Sequence, residues 1–149
     1  MSWDEFFLGL AKTYAQKSKD PSTRVGAVIV DQQHRFVSAG YNGFPSKIKD
    51  GYERLHDRAV KMTLTLHAEN NAIGFAKRDV TGCTIYTWPF QPCAACSLMI
   101  IRDGITRVVA PPLPPELKER WQSNCLLALS LFEEAGIKVD FLELKDDQN

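Results

Sequence analysis

Four side chains in two short clusters could do chemistry together: the histidine and carboxylate of His67-Ala68-Glu69, and the two thiols of Pro92-Cys93-Ala94-Ala95-Cys96. Imidazole nitrogen and thiolate sulfur are zinc donors. Three protein ligands, His67, Cys93 and Cys96, leave the fourth tetrahedral position for water, which is the arrangement of a catalytic ion and not of a structural one. Cysteines three apart on a helix stand about 60° apart around its axis and can grip one ion. His67 and Glu69, two apart, would diverge in a helix interior, so both are expected in a first turn, where side chains reach past the helix end. Glu69 is not needed as a ligand. Its carboxylate can take a proton from a water that zinc acidifies, pass it to a ring nitrogen and later protonate a departing amine, which is hydrolytic deamination.

Elements must be found that hold these groups in place. Ser2 and Glu5 form a capping box, and Trp3, Phe6, Phe7, Leu10, Ala11 and Tyr14 recur at helical spacing, so a first helix with an aromatic-rich core stripe is expected to about Gln16. Val25 to Val30 and Phe36 to Tyr41 read as strands paired in a hairpin across the polar turn Asp31 to Arg35. From Asn42 to about Thr65 the pattern breaks into a long charged loop, expected to be functional or ordered by its own short helix. His67 to Lys77 reads as a helix, Cys83 to Trp88 as a strand, and Cys93 to about Asp103 as a helix stopped by Gly104. Arg107 to Ala110 is a short strand, Pro111 to Pro115 a stiff connector, Glu116 to Ala135 a long helix stopped by Gly136, and Ile137 to Phe141 a half-exposed strand near a sheet edge. Strand, helix, strand, helix implies parallel strands with right-handed crossovers. Both reactive clusters then fall at the carboxyl ends of strands, where two helix N-termini converge and favour the thiolate form of Cys93 and Cys96.

Composition narrows the partners. The 149 residues suit one domain, 1–149, with a core that needs no metal to hold it. Eighteen basic residues balance eighteen acidic ones without a long run of either sign, which speaks against long nucleic acid. No apolar run reaches a membrane span, and Asp4 and Glu5 stand where a basic signal region would be, so no membrane partner and a cytoplasmic location are expected. The four cysteines, which include Cys83 and Cys125, are expected reduced.

Rival readings exist. Cys93-Ala94-Ala95-Cys96 alone also fits a thioredoxin-like redox pair, and a closed structural zinc with Cys83 or Cys125 as fourth ligand would make the chain an interaction module. His67 and Glu69 beside the thiols favour the open zinc site. His34 and His56 read as surface residues.

The pattern H-x-E followed by P-C-x-x-C is the signature of zinc nucleobase deaminases. With Ser18-Lys19-Asp20-Pro21, Val25-Gly26-Ala27, Gly40-Tyr41-Asn42-Gly43-Phe44-Pro45 and His67-Ala68-Glu69-Asn70-Asn71-Ala72-Ile73, the sequence resembles the cytidine and deoxycytidylate deaminase superfamily, and most closely its deoxycytidylate branch. The resemblance implies a three-layer α/β/α fold on a central mixed sheet of about five strands, a bound Zn2+, and a homo-oligomer acting on a small-molecule nucleotide, dCMP or a 5-substituted dCMP. By position, Asn42 would contact the sugar and the Ala68 backbone the pyrimidine. A 5′-phosphate would need cations, for which Lys19, Arg24, Arg54 and Lys61 are the candidates. Deaminases of guanine, free nucleosides or tRNA adenosine share the zinc motif and are the alternatives. Many deoxycytidylate deaminases carry an Asp- and Tyr-containing loop after the fourth strand. This chain has Pro111 to Pro115 and then Arg120-Trp121, so the resemblance leaves open which group covers the base.

Overall fold

The computed structural model describes residues 1–145; residues 146–149, the end of the expected 1–149 domain, lie outside it. The frame is a five-stranded mixed sheet of β1 (Gly26–Val30), β2 (Phe36–Tyr41), β3 (Thr84–Trp88), β4 (Arg107–Ala110) and β5 (Lys138–Phe141), in the spatial order β2-β1-β3-β4-β5. β1 is antiparallel to β2 and to β3, while β3, β4 and β5 are parallel. The expected hairpin is therefore present, closed by Asp31, whose carboxylate accepts from the Gln33 and Arg35 amides. β5 takes a sheet edge, with Val139 and Asp140 half-buried between an exposed Lys138 and an exposed Phe141.

The alternation of β1 sorts the core into two layers. Ala27 and Ile29 point to one face and pack with Ile85 and Val108 beneath Ala68 and Ala72, Ile100, and Ala128 and Phe132. Those helical residues belong to α4 (Ala68–Ala76), α5 (Ala94–Arg102) and α6 (Lys118–Glu134). Val28 and Val30 point the other way, onto Phe7, Leu8 and Ala11 of α1 (Trp3–Ala15). This is the three-layer α/β/α arrangement. Among the described residues no helix is long and apolar enough to cross a membrane.

The first helix starts at the expected capping box, with Ser2 Oγ accepting from the Glu5 amide at 3.0 Å. Its buried face differs from the one read from the sequence. Phe7, Leu8, Ala11 and Ala15 are buried, whereas Trp3 and Phe6 are about half exposed and meet edge to face, with Trp3 stacked on His34. The cause is close packing. A Cβ on Gly26 would overlap the Ala11 carbonyl oxygen and lie 2.7 Å from the Ala15 nitrogen, so α1 meets β1 through its alanines and turns the bulky rings aside.

The long segment after β2 is ordered by two short helices, α2 (Tyr52–His56) and α3 (Arg58–Leu64). Its ends are pinned by a two-residue bridge, in which Gly43 and Leu66 exchange backbone hydrogen bonds of 3.1 and 2.9 Å. That bridge returns the chain to the carboxyl end of β2 just before His67. α4 then lies on β2 at a distance set by Gly40, where an added Cβ would stand 2.7 Å from the Ala72 nitrogen and 2.8 Å from the Ala68 oxygen.

Candidate active site

His67 and Cys93 are the N-caps of α4 and α5 and not members of their first turns. Both have extended backbones, and neither side chain caps its own helix, so both are free to turn toward a third party. The extended N-cap also removes the objection that His67 and Glu69 are two apart: the helical 100° step does not apply across the cap. Cys96 sits one turn into α5 and faces back to the same point.

The three groups converge. His67 Nδ1 lies 3.5 Å from Cys93 Sγ and 3.3 Å from Cys96 Sγ, and all the donor atoms fall within 4.8 Å of one another. Among the described residues this is the one cluster of its kind, and Cys83 and Cys125 stand outside it. All four cysteines are free, as expected of reduced thiols. One imidazole nitrogen and two sulfurs, arranged beside a cavity, are a donor set that fits zinc and leaves a position unfilled by protein.

The electrostatics match that use. Cys93 is lowered to about 4, first by the hydrogen bond from Cys96 and then by that from His67. Cys96 moves up because it is the donor in that pair and is buried. The hydrogen bond to Cys93 raises His67 against the opposing effect of burial. Glu69 is 3% exposed, and burial raises its carboxyl above the ordinary range even though the Cys96 thiol hydrogen-bonds to it. A carboxyl so raised is a stronger proton acceptor than a solvated glutamate, which suits a group that takes a proton and returns it.

A cavity of about 110 Å³ opens onto this cluster. His67, Glu69 and Cys93 line it together with Asn42, Lys61, Phe90, Arg120 and Trp121. Asn42 is buried, with Oδ1 accepting from the Val25 amide and Nδ2 donating to the Thr23 carbonyl, each at 2.9 Å. It thereby braces the 18–25 loop against the end of β2 and keeps one further donor and acceptor position. Ala68 is fully buried as the first residue of α4.

The four cations read from the sequence separate in space. Lys61 reaches the cavity, 5% exposed. Lys19 pairs with Asp50 at 3.3 Å on the surface, Arg54 donates to the Lys49 carbonyl, and Arg24 is exposed; none of these three lines the cavity.

Other residues come to the site unannounced by any local pattern. Asn124 Oδ1 accepts from the Ala94 amide at 2.8 Å, and Gln91 Nε2 donates to the Cys125 carbonyl at 3.0 Å. These bonds fasten α6 to the loop that carries Cys93. Arg120 and Trp121, which open α6 after the proline-rich connector, are brought to the cavity in this way.

Residues 1–111 match the family model of the cytidine and deoxycytidylate deaminase zinc-binding region. The chain belongs to that family, whose members are hydrolases acting on C–N bonds. It is 41% identical over 142 residues to an uncharacterised deaminase of Aliivibrio fischeri, with 95% of each chain covered. It is also 38% identical over 115 residues to human deoxycytidylate deaminase, an alignment that spans 73% of this chain and 64% of the human one. Among solved structures, the dCMP deaminase of cyanophage S-TIM5 in complex with dCMP and dUMP shares the fold, with a TM-score of 0.72 and 21% identity over 93% of this chain and 95% of that one.

Proposed function

We propose that this chain is a single zinc-dependent domain that hydrolyses dCMP, or a 5-substituted dCMP, to the corresponding uracil nucleotide and ammonia. The observation that carries the proposal is the convergence of His67, Cys93 and Cys96 on one point beside the buried Glu69, at a cavity that basic side chains also line. The deoxycytidylate deaminases among its relatives, and the phage enzyme solved with dCMP and dUMP, support the choice of base and of phosphorylation state.

In this reading His67, Cys93 and Cys96 would hold the zinc. When bound, the ion supplies Lewis acidity that makes water a nucleophile near neutral pH. Glu69 moves the protons. Its carboxylate takes one from the attacking water and delivers it to the ring nitrogen beside C4. It then takes the second proton from the hydroxyl that has added at C4 and gives it to the exocyclic nitrogen, so that the C4–N bond breaks, C4 keeps the oxygen as a carbonyl and ammonia leaves. Burial of Glu69 keeps bulk water from competing for that proton. The Ala68 amide, at the positive end of α4, suits an acceptor on the pyrimidine, and Asn42 has hydrogen-bonding capacity left for the sugar.

A substrate panel tests this. The zinc-loaded protein is assayed by ultraviolet difference and ammonia release against dCMP, 5-methyl-dCMP, deoxycytidine, CMP, dCTP and guanine. Turnover is expected to be fastest on a deoxycytidine monophosphate; a preference for guanine, or activity on none of the panel, overturns the proposal. The exposed Leu98, Leu126 and Leu127 on α5 and α6 support the expected homo-oligomer, which light scattering would detect.

A further inference from the structure

Two cations line the cavity, Lys61 and Arg120, and they are not equivalent. Lys61 Nζ donates to Asp20 Oδ1 at 3.0 Å and to Ser22 Oγ at 3.1 Å, and its side chain is almost wholly buried. Asp20 Oδ1 also accepts from the amides of Ser22 and Thr23. This is a closed unit that neutralises its own charge and fixes the loop. A ligand that drew Lys61 away would strand a buried carboxylate, which is strongly unfavourable.

Arg120 has no such partner. Among the described residues it makes neither an ion pair nor a hydrogen bond, and its guanidinium stands 5.7 Å from the centroid of the Trp121 ring. Trp121 in turn packs on Phe90 at 5.5 Å. The hydrogen bonds from Asn124 and Gln91 hold this turn of α6 in register with Cys93. Arg120 is therefore an exposed positive charge lining the cavity, carried on an anchored turn of helix, with all of its donors available.

One more observation points to an occupant. Trp121 Nε1 is buried and, among the described residues, has no acceptor. Buried indole N–H groups are nearly always paired, so the wall that Arg120 and Trp121 form lacks a polar atom that a ligand would bring.

We propose that Arg120 is the specificity-determining cation of this site: its planar guanidinium receives the 5′-phosphate of the substrate, and the Trp121 ring beneath it holds the fork in place. The proposal rests on the dCMP reading above and adds the group that distinguishes a nucleotide from its nucleoside. A guanidinium can offer a phosphate two parallel hydrogen bonds, which Lys61, committed to Asp20, cannot match. It also assigns a use to the stretch after β4, where the chain departs from the pattern of its family.

The test compares wild type, Arg120→Gln and Arg120→Lys as zinc-loaded full-length proteins, with melting curves to establish that each folds. For each, kcat/KM and the calorimetric Kd are measured for dCMP and for deoxycytidine. Arg120→Gln is expected to reduce the preference for dCMP over deoxycytidine by about tenfold or more, through KM and Kd, and Arg120→Lys to restore part of it. An unchanged preference in Arg120→Gln, or equal losses on both substrates, overturns the assignment. A wild-type enzyme that ignores the phosphate, or acts on another base, instead overturns the dCMP reading on which the assignment depends.

Discussion

The distance between α4 and the sheet is set by the missing side chain of Gly40, and this makes Gly40→Ala an informative perturbation of a site it does not touch. The new Cβ would lie 2.7 Å from the Ala72 nitrogen and 2.8 Å from both the Ala68 oxygen and the Asn71 Cβ, where ordinary contact begins at 3.4 Å. These are backbone atoms and a Cβ, which cannot rotate aside, so α4 must retreat by roughly 0.7 Å, the shortfall of 2.7 Å against 3.4 Å. His67 caps α4, whereas Cys93 and Cys96 belong to α5, so the retreat opens the ligand triangle. Zinc–ligand distances tolerate only about 0.2 Å, so the shift is several times what a tight site accepts. Overpacking should also lower stability by about 1–3 kcal/mol, a fall in Tm of several degrees. We expect weaker zinc retention against a chelator and a fall in kcat of about tenfold to hundredfold, given that a displacement of ~1 Å can cost a factor of ~100. The assays are metal content after dialysis, dCMP turnover and thermal melting. Gly74→Ala is the control, because its Cβ meets nothing within 4 Å and helix propensity should make it neutral or stabilising by up to ~1 kcal/mol. Wild-type zinc content, turnover and Tm in Gly40→Ala would refute the claim that this contact sets the site geometry.

Glu69→Gln should retain stoichiometric zinc and lose about 10²–10⁴ in kcat, because the ligands stay and the proton carrier goes; near-normal turnover would remove Glu69 from the mechanism. Cys93→Ala should purify without stoichiometric zinc, and full occupancy measured by metal analysis would mean that the ligands are misassigned. Arg107 donates to both carboxylate oxygens of Asp4, at 2.9 and 2.7 Å, and Tyr86 donates to one of them; the Arg107 hydrogen bonds hold the Asp4 carboxyl below its ordinary 3.8. A group lowered in the folded state adds stability that is full above its unfolded value and lost as pH falls through the folded one. Tm should therefore decline from about pH 4 downward, and less steeply in Asp4→Asn; parallel acid limbs for the two proteins would show that this contact does not tie α1 to β4.

How much of this was legible beforehand depends on the range over which each signal acts. The element order could be read because hydrophobic period, capping residues and glycine stops are local: the Ser2 and Glu5 box, the Gly104 and Gly136 stops, and the β1–β2 hairpin are where their residues put them. The aromatic stripe of α1 misled. Periodicity measures which residues share a face and not how near another backbone can come, and the close approach to Gly26 selected the alanines instead. Among the cations, the sequence offers Lys19, Arg24, Arg54 and Lys61 on equal terms, since charge carries no direction until the chain is folded. The structure turns three of them away from the cavity and brings Arg120 to it.

The reacting groups themselves, His67, Glu69, Cys93 and Cys96, stand in two segments of five residues or fewer, and ligand chemistry limits what such a set can do. The sequence by itself therefore named the candidate zinc ligands and the candidate proton carrier and, with them, pointed to the class of reaction. Only the tertiary structure decided how the two segments meet. The Gly43–Leu66 bridge, the Gly40 contact with Ala72 and the Asn124 bond to the Ala94 amide join residues 23 to 32 positions apart, and packing of that kind leaves no trace in local spacing. It also decided what surrounds the reacting groups, a wall of Phe90, Arg120 and Trp121 drawn from separate elements, because a cavity is a property of surfaces that become neighbours when the layers close.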